Sequence, residues 1–446
     1  MTDDLKTPAD PLGEKPKKGG GRERWVERFK KIEVFGLYCV GFSLALAEAP
    51  MNIGCVLFFI GALGSRLAGG EKFRRAPEPF EYLLLTMGGI ALLSTLVNWP
   101  LVFGLRGPRV ALTLLSLFWI MYASGFTERQ IKRFLYILVG SVVAGLFWGL
   151  WRWQAGLLPA LELPSAGTVT QASIFLGVVI FAMFGMVLDT ESGFSKKTRM
   201  IVASSLVFSW TCLILMGSRG GLLGVVVASL PLAALFLKNK RFRNSLGIIA
   251  MLGIILIAGA HFTGKGFFWE DRIKHLSSVS FGENKSRSIE DLEKAGDLMR
   301  LENWKIGYAQ IFQGGHFWFG VGPRNYSSVK VSSLHFDQPL ITYPTVWSKV
   351  EHAHNLFLTK WVEEGLLGLI VFVVFLCSIA WSLMRNYPRQ GNIHWSWVAC
   401  LGALIVPAVA GSFNSPYYNE FAWLAMMIMG YCMGRMRKKG ETAPGY

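Results

Sequence analysis

Twelve apolar runs near the length of a bilayer-spanning helix, about twenty residues, recur along this chain, and all but one of the connections between them are short. The runs fall at 34–48, 50–68, 81–98, 105–125, 132–152, 171–189, 199–216, 220–237, 245–263, 364–384, 395–412 and 418–435. They predict an all-α polytopic membrane protein with twelve transmembrane helices. Composition points the same way: 52% of residues are hydrophobic and 17% charged, against about a quarter charged in soluble proteins. The one long connection runs from Thr263 to Glu351. It delivers His352-Ala353-His354-Asn355 to the mouth of the tenth span.

A net charge of +16 invites a nucleic-acid reading, but its distribution excludes one. With the N-terminus inside, 29 of the 45 Lys and Arg residues fall in inner segments. The short outer loops hold only Arg106, Arg109, Arg152 and Arg219, and the long loop is near neutral, with 11 basic and 10 acidic residues. This asymmetry orients a membrane protein with both termini cytoplasmic, so the partner is the lipid bilayer and not nucleic acid. The six cysteines (Cys39, Cys55, Cys212, Cys377, Cys400, Cys432) all lie in predicted spans and read as small buried apolar residues, with no disulfide framework for the loop. No Cys or His pair except His352/His354 has ligand spacing, so neither a metal nor a cofactor is expected. Basic residues ahead of Val34–Leu46, followed by Ala45-Leu46-Ala47, resemble a signal peptide. The stretch before the apolar run is long for one, and the segment reads as retained.

The domain division follows. Residues 1–33, rich in Lys, Gly and Pro, read as a disordered cytoplasmic tail attracted to anionic lipid. Spans 1–9 occupy 34–263, the outer loop 264–352, spans 10–12 residues 353–436, and a second cytoplasmic tail 437–446. Within the loop, apolar residues recur at helical spacing from Ser288 to Phe312, as one helix or two ended by Gly314-Gly315. Trp318 to Pro323 reads as a turn, and Val350 to Val362 as a short helix broken near Gly365.

Chemistry concentrates on the outer side. A neutral imidazole is the natural base for a hydroxyl that is about to attack, which singles out His354; His352, two residues away, reaches the same site, and Asn355 adjoins it. Arg219, in Gly217-Ser218-Arg219-Gly220-Gly221, breaks the inside-positive pattern at an outward turn. Its guanidinium fork suits phosphate oxygens. Arg300 lies on the amphipathic loop segment, and Glu363 and Glu364 read as buried acids or a helix-end pair. Gly320-Val321-Gly322 is no dinucleotide fingerprint, because no strand precedes it. The outer loops hold no Asp-x-Asp metal motif.

Three stretches resemble the O-antigen ligase and polymerase superfamily of bacterial envelope glycosyltransferases. Gly217-Ser218-Arg219-Gly220 is similar to its Ser-Arg-Gly turn, and Arg300 through Pro323 to its arginine-then-glycine loop segment. His352-Ala353-His354-Asn355-Leu356, with Glu363-Glu364-Gly365-Leu366-Leu367-Gly368, is similar to its His-Asn and Glu-x-Gly-x-x-Gly signature. The resemblance implies a GT-C-like, inverting, metal-independent glycosyl transfer on the periplasmic face of the bacterial inner membrane. The donor it implies is undecaprenyl-pyrophosphate-linked glycan, the acceptor a sugar hydroxyl of lipid A–core. It casts His354 as base and Arg219 and Arg300 as pyrophosphate ligands. Ligase is preferred to polymerase because no outer arginine is followed eleven residues later by glycine. A protein O-oligosaccharyltransferase differs only in acceptor. A lipid-linked glycan transporter, the alternative of another class, leaves the long loop ending in His-Asn unexplained.

Overall fold

The computed structural model describes residues 21–69, 79–99, 105–123, 125–158, 160–165, 168–189, 191–236, 297–328, 331–336, 340, 352–388, 393–413 and 420–442. Among them are twelve α-helices, two single 3₁₀ turns and no strand. The helices are α1 (Gly21–Ser43), α2 (Glu48–Gly69), α3 (Pro79–Val97), α4 (Arg106–Ala123), α5 (Glu128–Gln154), α6 (Val169–Leu188), α7 (Lys196–Met216), α8 (Arg219–Phe236), α9 (Asp297–Gln313), α10 (Leu356–Arg385), α11 (Trp395–Gly411) and α12 (Glu420–Thr442). All but α9 coincide with expected spans; the span expected at 245–263, the loop before 297 and the stretch 341–351 lie outside the described residues. Six helices are long and apolar enough to cross a membrane: α2, α3, α5, α6, α7 and α10. Residues 107–123, 219–234 and 395–411 form shorter apolar helices. The chain is a multi-pass helical membrane protein.

Helix α6 is the axis of the bundle. Most of its residues are buried, and it packs against α7, α8, α11 and α12. Around it the outward faces carry large exposed apolar side chains, among them Leu85, Leu96, Phe147, Ile370 and Trp381. In water such a surface would be costly; against lipid tails it is not.

Two expectations about burial and order change. Cys377 is exposed and Cys39 half-buried, so only four of the six cysteines are core residues. Helix α1 begins at Gly21, inside the basic segment expected to be disordered. The physical reason is local: Pro8, Pro11 and Pro16 and the glycines stop at Gly21, after which Glu27 and Lys31 pair at 2.8 Å one turn apart. Arg22 Nε also donates to Ala68 O at 2.7 Å, tying the start of α1 to the end of α2.

Outside the bundle, α9 and the segment after it form a second, smaller core. Ile306, Ile311, Val321, Tyr326, Ala353, Leu358 and Val362 are its buried members. Leu356 belongs to the bundle core and Leu358 to the outer one, so the boundary between the two runs through the first turn of α10.

Candidate active site

The turn between α7 and α8 is built for an arginine at its tip. Gly217 ends α7 in the left-handed conformation, φ 65, where glycine carries no steric cost. Ser218 then caps α8: its Oγ accepts from Gly221 N at 3.4 Å and its carbonyl from Leu222 N at 3.1 Å. Arg219 follows, half-buried, as the first residue of α8. A cation in a first turn opposes the helix macrodipole, so Arg219 is not there for the helix. An anion docked at that point meets both the guanidinium and the positive end of α8.

His354 lies at the other end of the matching level. Helix α8 packs antiparallel on α11, with Gly224 against Val406. Counting five residues outward from that contact brings α8 to Arg219 and α11 to Gly411. At Ser412, just past it, Asn355 Nδ2 donates to the carbonyl at 2.9 Å, while Asn355 Oδ1 accepts from Leu358 N at 2.9 Å. Asn355 is thus the N-cap of α10 and its bridge to α11, a positional role. The expected helix from Val350 starts only at Leu356 because this asparagine caps it there; residues 350 and 351 lie outside the described set.

Between cap and loop, His354 holds φ 50, a left-handed backbone that costs a residue with a Cβ about 1–2 kcal/mol. The rings of His352 and His354 lie 4.3 Å apart, tilted by 49°. Burial first, and then the neighbouring Arg300 guanidinium, push His354 down to about 4. His352 is pushed down to about 3 by burial, then by His354 and Arg324. Both rings are therefore neutral at physiological pH. Buried His354 Nδ1 and His352 Nε2 accept or donate no hydrogen bond within the described chain.

The glycine motifs explain how this loop is held. Gly365 interrupts α10 with φ 73 and ψ −178. An unbroken helix would pair Leu366 N with Val362 O and Leu367 N with Glu363 O. The break releases those carbonyls to the loop: Val321 N donates to Val362 O at 2.9 Å, Gly322 N to Glu363 O at 2.8 Å, and Leu366 N to Phe317 O at 2.8 Å. A Cβ on Gly365 would lie 2.0 Å from Trp318 O, and one on Gly320 2.3 Å from Glu363 C. Gly368 leaves room for the Glu364 side chain, whose Cβ lies 2.4 Å from where its own Cβ would be. Helix α3 supports the joint: Ser94 Oγ donates to Glu363 O and Asn98 Nδ2 to Gly320 O, each at 2.9 Å. Two motifs that read as separate in sequence are one clamp.

Both acids of the signature are buried. Glu364 pairs with Lys360 at 2.5 Å beside a cavity of about 40 Å³ between α3, α4, α10 and α12. Glu363 faces Arg324, which meets it with its main-chain amide and with its positive charge. Arg324 is the functional candidate that sequence reasoning passed over. It stands at φ 56 directly after Gly322-Pro323, and that unusual place for an arginine was the available signal. Ser94 and Asn98 had no signal beyond their spacing at the end of an apolar run.

The structure thus brings His352, His354, Asn355 and Arg300 together and puts Arg219 at the same end of the bundle. Among the described residues no group of three His, Cys, Asp or Glu gathers to hold a metal. Residues 204–373, a little over a third of the chain, match the family model for the O-antigen ligase, consistent with the O-antigen ligase superfamily, whose members are glycosyltransferase-like ligases and polymerases. A search of curated proteins finds no match to the chain.

Proposed function

Proceeding from that O-antigen ligase segment, we propose that the chain transfers a glycan from undecaprenyl pyrophosphate to a sugar hydroxyl of lipid A–core. The observation that carries this reading is the neutral His354 ring, set by a left-handed backbone against Arg300 at the mouth of α10. The acceptor hydroxyl attacks the anomeric carbon of the donor's first sugar from the face opposite the pyrophosphate, inverting it. As the bond to the pyrophosphate oxygen breaks, its electron pair leaves with that oxygen, and His354 takes the hydroxyl proton. Arg219 and Arg300 face the charge that grows on the leaving group, where fixed cations lower the barrier most. No step requires a divalent cation, because the two guanidiniums supply the charge.

The distribution of basic residues supports a placement in the bacterial inner membrane with both termini cytoplasmic and the loop 264–352 as a periplasmic catalytic segment. The test is a reconstituted assay with purified protein, undecaprenyl-pyrophosphate glycan and lipid A–core, with and without EDTA. Wild type is expected to give a lipid A–core product regardless of EDTA. His354→Ala is expected to lose about a thousandfold in rate at unchanged thermal stability. Elongated donor would make the chain a polymerase. A variant that unfolds would make His354 structural, and loss of activity in EDTA would overturn the metal-free chemistry.

A further inference from the structure

Helix α9 has the wrong outer face for a helix that stands in water. Ile306 and Ile311 fill the outer core, but Glu302, Asn303 and Gln310 are buried with them, while Leu301, Tyr308 and Phe312 are exposed, Phe312 by 64%. At about 100° per residue, Leu301, Lys305, Tyr308 and Phe312 fall within one arc of about 60°, so the apolar groups form a single stripe. Scattered exposed apolar residues need no explanation; a continuous patch of them marks a surface that meets something apolar.

The stripe does not stop at the end of the helix. The Phe312 ring lies 5.9 Å from that of Phe317, and Phe317 lies 5.1 Å from Trp318, which is 55% exposed. Phe312 and Phe317 also meet Trp361 in the second turn of α10, at 5.9 and 5.7 Å. Trp318 O sits where a Cβ on Gly365 would be, and two residues on Gly320 O accepts from Asn98 Nδ2, just past α3. These contacts join the band to the outer end of α3, where Leu96, Val97 and Trp99 are exposed, and to α10, which exposes Ile370 and Val374 farther along. The exposed faces of α3 and α10 are part of the lipid-facing surface of the bundle. The band on the loop continues that surface.

We propose that this band is a membrane seat: Tyr308, Phe312 and Trp318 enter the outer headgroup boundary of the bilayer, with Leu301 at its edge. Apolar side chains gain free energy at that boundary, and Trp and Tyr favour its depth. Lys305 decides between lipid and protein as the occupant. Against a second copy of the chain its ammonium would be buried at a cost. At a bilayer it reaches headgroup phosphates while its stem lies along the tails. The clamp that carries His354 is then fixed in height relative to the headgroups.

The experiment places one nitroxide at a time on the full-length protein, carrying Cys39→Ser and Cys377→Ser, in vesicles of phosphatidylethanolamine and phosphatidylglycerol. The labelled positions are Leu301→Cys, Tyr308→Cys, Phe312→Cys and Trp318→Cys, with Ile370→Cys as the lipid-facing reference and Ser332→Cys as the water-facing one. At Tyr308, Phe312 and Trp318 oxygen is expected to reach the label and a water-soluble nickel complex to be excluded. The ratio of the two collision rates is expected to exceed that at Ser332 about threefold or more, with Leu301 between. A second measurement needs no substitution: the unmodified protein is irradiated in vesicles doped with a phospholipid bearing a diazirine near the top of its acyl chain. Adducts are expected within residues 308–318. Nickel access equal to that at Ser332, or no adduct in that segment, would overturn the proposal. Low collision with both reagents would mean that protein covers the stripe, a second copy where labels broaden one another, and would overturn it equally. No turnover is measured, so this proposal and the ligase reading fail separately.

Discussion

The bundle and the outer clamp are held together by different physics. Around α6, buried Phe175, Ile180 and Phe181 and their neighbours hold position by side-chain contact, which any apolar group of the right shape supplies. At the break in α10, the contacts that count are main chain to main chain, and the side chains needed there are missing ones, at Gly320, Gly365 and Gly368. The bundle gives the molecule its stability in lipid. The clamp gives the histidine loop its coordinates, and the difference implies that stability and activity can be lost separately.

Gly365→Ala is the severest way to break that separation. The new Cβ meets both a 2.0 Å contact with Trp318 O and a φ of 73. Activity is expected to drop more than about a hundredfold, in line with the sensitivity of catalysis to small misplacement. The outer loop should become protease-sensitive, while the bundle melts near the wild-type temperature. Its counterpart, Phe175→Ala at a fully buried position, is expected to cost about 3–5 kcal/mol of unfolding free energy and leave KM of the folded fraction unchanged. Equal melting losses in the two variants would merge the two regions into one.

The acid limb of activity sharpens the comparison at the level of charge. His354 is neutral until pH falls to about 4, because burial and then Arg300 disfavour its charged form. The acid limb of kcat/KM for donor is therefore expected well below the ordinary imidazole value of about 6.5. Anionic donor bound beside Arg300 favours the charged ring, so the limb of kcat is expected at higher pH. The same depression adds stability that is full above the unfolded value of about 6.5 and is lost as pH falls through the folded values of about 4 and about 3. A kcat/KM limb at the ordinary histidine value would contradict the buried pair.

Asn355→Asp gives the smallest expected effect. Aspartate still caps α10 by accepting from Leu358 N, but it cannot donate to Ser412 O. A loss of about 1 kcal/mol in stability is expected for that one hydrogen bond, with roughly a tenfold fall in kcat. Wild-type kcat in this variant would show that α11 does not position the loop.

Much of the fold was legible because lipid writes it directly into sequence: long apolar runs are visible one at a time, and eleven of the expected spans coincide with described helices. The candidate histidines and arginines stand out in sequence as well, as titratable or charged groups on the side of the membrane that carries few. What sequence could not show was the pairing of Phe317–Gly322 with Val362–Leu366, since main-chain hydrogen bonds leave no side-chain pattern and glycine only says that something comes close. The place of Arg324 is hidden for the same reason, since it depends on a turn whose partner lies on another helix. The helical start at Gly21 is hidden in the mean composition of residues 1–33, whose prolines all lie before it.

Because the clamp grips backbone, its demands fall on main-chain geometry and on the missing side chains at Gly320 and Gly365. Trp318, and Leu301, Lys305 and Tyr308 on the exposed face of α9, carry none of the clamp's main-chain hydrogen bonds. A chain built this way can change the surface it presents at these positions by point substitution while keeping the frame that holds His354.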